Sequence, residues 1–432
     1  MRRVHFRNGR TRGPGGGRWW RILSDVDWVL HVDLDQFIAA VEIARHPELQ
    51  GEPVVVGGKG DPAQRGVVAT ASYEARAFGV HSGMPLRTAQ RKCPDAIFLP
   101  SDSPAYEEVS ERVMAALREL PVVVEVAGWD EAFLGADTDD PEGLAQRVRD
   151  IVRERCGLES SVGIGDNKLR AKTATGFAKP GGIHRLTQED WLPVMAHRPP
   201  DALWGIGSRT MGKLAELGIT TVGELAAADR DRLAARFGPT MGPFFRVLAH
   251  GWGDREVTAT PYVAKSRSRE TTFQENLTDR DAADAAVREL ARRVADDVTA
   301  EGRPVARVAV KVRFAPFLTR TRSTTLPEPL DPATEGERPG EEEPRRSEAE
   351  SPEPRESPRS PQPEQPPGPE SLGEPEPPGV PELRAKPERT TVGDELERAA
   401  LAVLDRFEFD RPVRLLGVRA EFVEPPAAGR EE

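Results

Sequence analysis

The strongest signal in the chain is a change of apolar period. Short runs of apolar residues alternate with stretches whose apolar positions recur every three or four residues. "WVLHVDL", "PVVVGG", "AIFLP", "VVVEVAG", "EAFLG" and "SSVGIG" read as strands. "QFIAAVEIAR", "MPLRTAQRKC", "YEEVSERVMAALREL", "EGLAQRVRDIVRERC" and "NKLRAKTATGFAK" read as helices. This mixture over residues 28–198 predicts a domain of sheets covered by helices. In the helix from Gln36, the positions Phe37, Ala40, Val41 and Ala44 form the expected core stripe. Ile38 lies off it.

Over 199–254 the pattern becomes short helices separated by glycine turns. "LWGIGSRTMGKLAELGITTVGELAA" predicts a helix-hairpin-helix, with Gly205 and Gly207 letting backbone amides approach a phosphate. An ordinary pair of helices is the competing reading. Residues 255–326 together with 389–424 predict a further α+β domain. In "RVAVKVRF" the apolar Val308, Val310, Val312 and Phe314 oppose Lys311 and Arg313. Lys265, Arg267 and Arg269 share one parity, as do Arg320 and Arg322. The expectation is an antiparallel sheet with one apolar and one basic face, the latter tracking phosphates.

Composition changes this picture in one place. Residues 327–388 hold 18 of the 40 prolines, and 17 acidic against 7 basic residues. Such a segment is expected to be disordered. Closing it inside a domain, instead of a loop of about six residues, costs only about 2 kcal/mol. It also supplies nearly all of the net charge of −11, so the remainder can carry basic faces; residues 255–325 have 14 basic and 10 acidic side chains. Residues 1–27 read as a basic, Gly-rich, unstructured arm, and 425–432 as a tail. Two distant cysteines fit a reducing compartment. No apolar run reaches the roughly 18 residues of a membrane helix. A bacterial cytoplasmic protein, monomeric and away from membranes, is expected.

The candidate chemistry lies in acids at strand ends. Asp33 and Asp35 close the first strand, with Asp35 the better placed to cap the following helix. Asp130 and Glu131 follow Gly128 and Trp129 at a hairpin. A solvated turn is the ordinary explanation for such a pair. Three converging carboxylates, however, repel unless divalent cations lie among them, and hard oxygen donors suit Mg²⁺ or Mn²⁺. For both Asp130 and Glu131 to reach one ion, the backbone there must turn or bulge. Thr70, Tyr73, Arg76 and Lys179 are candidates for holding a triphosphate, with Tyr73 and Arg76 on one helical face.

The ordered series "HVDLDQF", "ATASYEARAFGV", "MPLRTAQRKCP", "WDEAFLG", "VGIGDNKLRAK", "AKPGG" and the Gly-Ile-Gly hairpin resembles the Y-family translesion DNA polymerases of the DNA polymerase IV type. The resemblance runs from about residue 28 to 424, apart from 327–388. It implies an α+β multidomain, right-hand polymerase: a ferredoxin-like palm with small fingers (28–198), a helix-hairpin-helix thumb (199–254) and a little finger gripping DNA (255–326 with 389–424). It assigns Asp33, Asp130 and Glu131, with the carbonyl of Leu34, to two Mg²⁺ ions, Mn²⁺ being the alternative. Thr70, Tyr73, Arg76 and Lys179 fall to the incoming triphosphate. The implied partners are primer–template DNA and dNTPs.

Two departures stand out. Gly128 and Trp129 replace the Ser and small aliphatic that usually precede the acid pair. Ile38 replaces the aromatic ring that blocks a ribose 2′-hydroxyl, so rNTPs are expected as substrates too, unless Ile38 or Phe37 still closes the pocket. The ending "EFVEPPAAGREE" lacks the Gln-plus-apolar peptide that docks on a sliding clamp, so recruitment by that route is not expected. The alternatives are a non-catalytic DNA-binding scaffold on the same fold, and a polymerase whose natural substrates are ribonucleotides.

Overall fold

The computed structural model describes residues 27–332 and 391–424. The expected arm, most of the acidic insertion and the C-terminal tail lie outside these residues. The chain forms two compact units, one ending at Val263 and one beginning at Ala264.

The first unit runs in the order β1 (Trp28–Leu34), α1 (Phe37–Arg45), β2 (Val54–Val56), β3 (Thr70–Ala71), α2 (Tyr73–Ala77), α3 (Leu86–Lys92), β4 (Ile97–Leu99), α4 (Ser103–Arg118), β5 (Val123–Val126), β6 (Glu131–Ala136), α5 (Pro141–Cys156), β7 (Ser160–Gly165), α6 (Lys168–Ala178), β8 (Ile183–Leu186), α7 (Gln188–Met195), α8 (Ser208–Ala215), α9 (Val222–Ala227), α10 (Arg230–Phe237) and α11 (Met241–Ala249). Its main sheet has the order β5-β6-β1-β7-β8, with β1 in the centre. A small sheet, β3-β2-β4, carries a separate apolar cluster.

Strand alternation divides β1 between two faces. Leu30, Val32 and Leu34 join the core built with α4 and α5. Val29 packs with Phe133 and Ala171 toward α6. His31 and Asp33 share that second parity. Helix α6 lies flush on β7 because two strand positions lack side chains. A Cβ at Gly163 would stand 2.0 Å from the Ala171 carbonyl oxygen, and one at Gly165 2.5 Å from the Ala171 nitrogen. Those two glycines bring the basic helix down onto the face that carries Asp33.

The inward stripe of α1 differs from the expected one. Phe37 and Val41 are buried as read, but the other buried apolar positions are Ala39 and Ile43, not Ala40 and Ala44. The helix is covered on more than one side; buried Glu42 accepts the Tyr106 hydroxyl at 2.6 Å. Short β8 and α7 carry no clear sequence period and were not anticipated. Helices α7–α11 enclose their own core around Trp191, whose indole N–H donates to the Ala249 carbonyl at 2.8 Å.

The second unit runs β9 (Ser266–Leu277), α12 (Arg280–Glu301), β10 (Val305–Phe314), β11 (Leu318–Leu330), α13 (Val392–Leu404) and β12 (Val413–Phe422), with sheet order β11-β10-β12-β9. Strand β11 continues to Leu330, past the expected boundary at 326. Pro327 and Pro329 are tolerated because β11 is an edge strand.

The expected single basic face is corrected by the strand register. Residues directly opposite one another share a face. Arg269 stands in a row with Val418, Val310 and Arg322, and Arg320 pairs with Val312. Val310, Val312 and Val418 belong to the core under α12 and α13. Arg267 and Arg269 accordingly reach acids of α12, Glu301 and Asp297, and Arg322 lies over the Phe407 ring. The open face carries Arg307, Lys311, Arg313 and Arg419 together with Glu270 and Glu421, flanked by Ser266, Ser268, Thr321, Ser323 and Thr325. Lys311 pairs with Glu270 at 2.7 Å, and Arg307 and Arg419 with Glu421. The sequence parity was real on each strand, but the register between strands places equal parities on opposite faces. Lys265 precedes β9, and its carbonyl accepts the Phe422 N–H at 3.0 Å.

Candidate active site

Asp33 at the end of β1 stands directly opposite Glu131 at the start of β6. The connection is tight: the N–H groups of Ala127 and Gly128 both donate to the Glu131 carbonyl, at 3.0 and 3.1 Å, and Leu34 N–H donates to the Asp130 carbonyl at 2.8 Å. Asp130 therefore belongs to the turn and Glu131 to the strand, so strict alternation does not separate their side chains. Gly128 leaves room for this. A Cβ there would stand 3.3 Å from Glu131 Cγ and 3.5 Å from Asp130 Oδ1.

The same face holds His31, which the sequence reading overlooked although it lies two residues before Asp33. One ligand atom from each of His31, Asp33 and Glu131 falls within 4.8 Å of the others. His31 is 1% exposed. Its Nδ1 lies 2.9 Å from Thr175 Oγ1 and its Nε2 3.2 Å from Glu131 Oε2. Burial holds this imidazole below its usual range, against the opposing pull of Glu131. Lys172, about two turns before Lys179 on the same basic segment, pairs with Glu131; Lys179 reaches Asp33 at 2.5 Å.

Electrostatics separate the acids. The hydrogen bond from His31 and the ammonium of Lys172 hold Glu131 down to about 2, against the opposing effect of burial. Asp130 is pushed up, first by burial and then by the charges of Asp33 and Glu131. Three carboxylates are thus gathered where the protein's own cations offset two of them. The close cluster is His31, Asp33 and Glu131, and Asp130 is coupled to it through charge; its carboxylate oxygens fit hard divalent cations.

Asp35 does not cap α1. The residue at the cap is Gln36, and it makes no capping bond. Asp35 is 4% exposed and acts as a hub instead. It accepts the Tyr73 hydroxyl at 2.7 Å, the Ser161 hydroxyl at 3.0 Å and the Gly181 N–H at 2.7 Å. The start of α2 and the loop after Lys179 therefore meet at one carboxylate. The Arg76 guanidinium lies over the Tyr73 ring, 5.1 Å from its centre, and its Nε donates to the Ala71 carbonyl. Thr70 pairs with Val56 on the neighbouring strand. Burial and the bond to Asp35 raise the Tyr73 pKa, so the phenol stays protonated. While that bond is made, Tyr73 has no proton left for a phosphate oxygen.

Beside these groups, Phe37 is 3% exposed in the core, and Ile38 is half-buried at its margin. On the other side, a groove of about 760 Å³ runs from Lys172 and Phe177 to Arg198, Trp204, Gly205 and Gly207. Gly205 takes a left-handed φ of 93°, and Gly207 heads α8.

The fold matches solved Y-family polymerases. A Y-family DNA polymerase chimera of Dbh and Dpo4 aligns with a TM-score of 0.70 at 22% identity, covering 92% of this chain and all of that one. DinB from Sulfolobus solfataricus aligns with a TM-score of 0.53, covering 92% and 99%. The architecture is therefore that of a Y-family polymerase, α+β with several sheets. The sequence matches the impB/mucB/samB family over residues 32–176 and that family's C-terminal domain over 264–336. DNA polymerase IV 2 of Mycobacterium tuberculosis is 46% identical over 398 residues, 91% of this chain and 97% of that protein. DNA polymerase IV of Methanoculleus marisnigri is 42% identical over 308 residues, 69% and 84% of the two chains. The chain belongs to the DNA polymerase IV group of this family, the DNA-directed DNA polymerases of translesion synthesis. Among the described residues, no helix is long and apolar enough to cross a membrane.

Proposed function

We propose that this polymerase adds nucleotides through two divalent cations held by Asp33, Asp130, Glu131 and the Leu34 carbonyl, and that it accepts ribonucleotides as well as deoxyribonucleotides. The register of Asp33 against Glu131 carries the first part. Bound cations supply charge neutralisation and lower the pKa of a coordinated hydroxyl. His31 and Lys172 fix the orientation of Glu131. Lys179, Arg76 and Thr70 supply donors for the triphosphate, and Tyr73 joins them by exchanging Asp35 for a phosphate oxygen. The site faces primer–template DNA and a nucleoside triphosphate.

The burial of Phe37 supports the second part. With that ring committed to the core, the sugar is left facing a branched aliphatic at Ile38, shorter than a ring. The direct test is primer extension by the wild-type enzyme with ATP and UTP against their deoxy counterparts, in Mg²⁺ and in Mn²⁺. Discrimination below about 10³, roughly 4 kcal/mol, is expected. A larger factor in both metals sinks the sugar reading and leaves the polymerase intact.

The second unit's open face is the DNA-tracking surface in this reading, narrowed from the wider basic set. Lys311→Ala and Arg313→Ala are each expected to flatten the salt dependence of DNA affinity by about 0.9 in log–log slope. Arg267→Ala and Arg269→Ala, on the opposite face of the sheet against α12, are expected to change it little. Equal losses from both pairs would refute the assignment.

A further inference from the structure

Gln36 is, among the described residues, the one residue other than glycine with a positive φ, at 45° with ψ 37°. A left-handed glutamine is uncommon and costs on the order of 1 kcal/mol. Its side chain shows what the conformation accomplishes. Gln36 Oε1 accepts the backbone N–H of Tyr73 at 2.6 Å. That N–H opens α2 and has no partner within its own helix. The local cap, Ser72, serves Ala75 instead. Tyr73 is thus held at both ends by consecutive residues of the β1–α1 turn: its phenol by Asp35 and its amide by Gln36.

We infer that Gln36 is a positioning residue, anchoring the first turn of α2 to the turn that carries Asp33, so that Tyr73 and Arg76 stand ready for the nucleotide. The two bonds have different duties. The phenol is the end that changes partner when a phosphate arrives. The amide bond keeps the helix in place while it does so. This rests on the reading that Tyr73 borders the nucleotide site, and the two ideas can be tested apart.

Two variants isolate the anchor. Gln36→Gly keeps the left-handed backbone at no steric cost and removes the acceptor. Gln36→Met keeps the length of the side chain and also removes it. Both are expected to raise the KM for dNTP about tenfold with kcat within about twofold, since one hydrogen bond of this kind is worth about 1.4 kcal/mol. In the full-length enzyme without nucleotide, hydrogen exchange at the Tyr73 amide is expected to quicken by a similar factor, with the melting temperature of Gln36→Gly unchanged. Unaltered exchange in both variants overturns the anchor. Faster exchange with unaltered KM overturns its positioning role. Tyr73→Ala, run alongside, identifies the other failure: if it too leaves KM unchanged, the nucleotide reading of Tyr73 is what fell.

Discussion

Asp33→Ala is expected to slow nucleotide addition by on the order of 10³ or more, about 4 kcal/mol of barrier, while primer–template affinity stays within about twofold. The argument is electrostatic and geometric. Asp33 faces Glu131 across a strand pair and adds to the charge that pushes Asp130 up. Its removal deletes one wall of an anionic pocket, and Lys179 loses its partner. The basic side chains of the second unit are untouched. Single-turnover extension and equilibrium DNA binding, measured on the same preparation, separate the two quantities. Parallel loss of both would mean that the substitution unfolds the sheet. Retained addition would remove Asp33 from the chemistry.

The second large effect concerns the sugar. Ile38→Phe is expected to suppress ribonucleotide addition by about 10² to 10³-fold and to leave deoxynucleotide addition within about threefold. On the proposed reading a ring at this position would collide with a 2′-hydroxyl, and Ile38, at the margin of the core, is only half-buried. Phe37 cannot serve as that ring: it is enclosed by the core of the first unit, so Phe37→Leu is expected to lower stability by about 1 kcal/mol without changing sugar preference. Competition between ATP and dATP on one template reads both variants. Should Ile38→Phe leave the ratio unchanged, the barrier lies elsewhere in the pocket.

Much of this was legible in the sequence. The strands and helices around the acids follow apolar period, and the tight turn between Gly128 and Glu131 follows from requiring both acids to face one site. What escaped has identifiable causes. Asp35 looked like a cap because helix starts favour aspartate; its partners Ser161 and Gly181 are more than 120 residues distant, which no local pattern reports. The two faces of the second sheet were merged because parity is a property of one strand, whereas a face depends on register between strands. Gln36 carries no sequence signal at all, since its left-handed backbone is visible only in coordinates. His31 could have been found from the alternation that selected Asp33.

The pairing of β1 with β6 has a consequence for how damage to this enzyme presents itself. Sliding one strand by a single residue turns every side chain to the opposite surface, so Val32 would stand where Asp33 belongs. Competence is therefore inherited whole or not at all. A poorly refolded batch should contain fewer working molecules, each of normal speed, and a burst titration would count them.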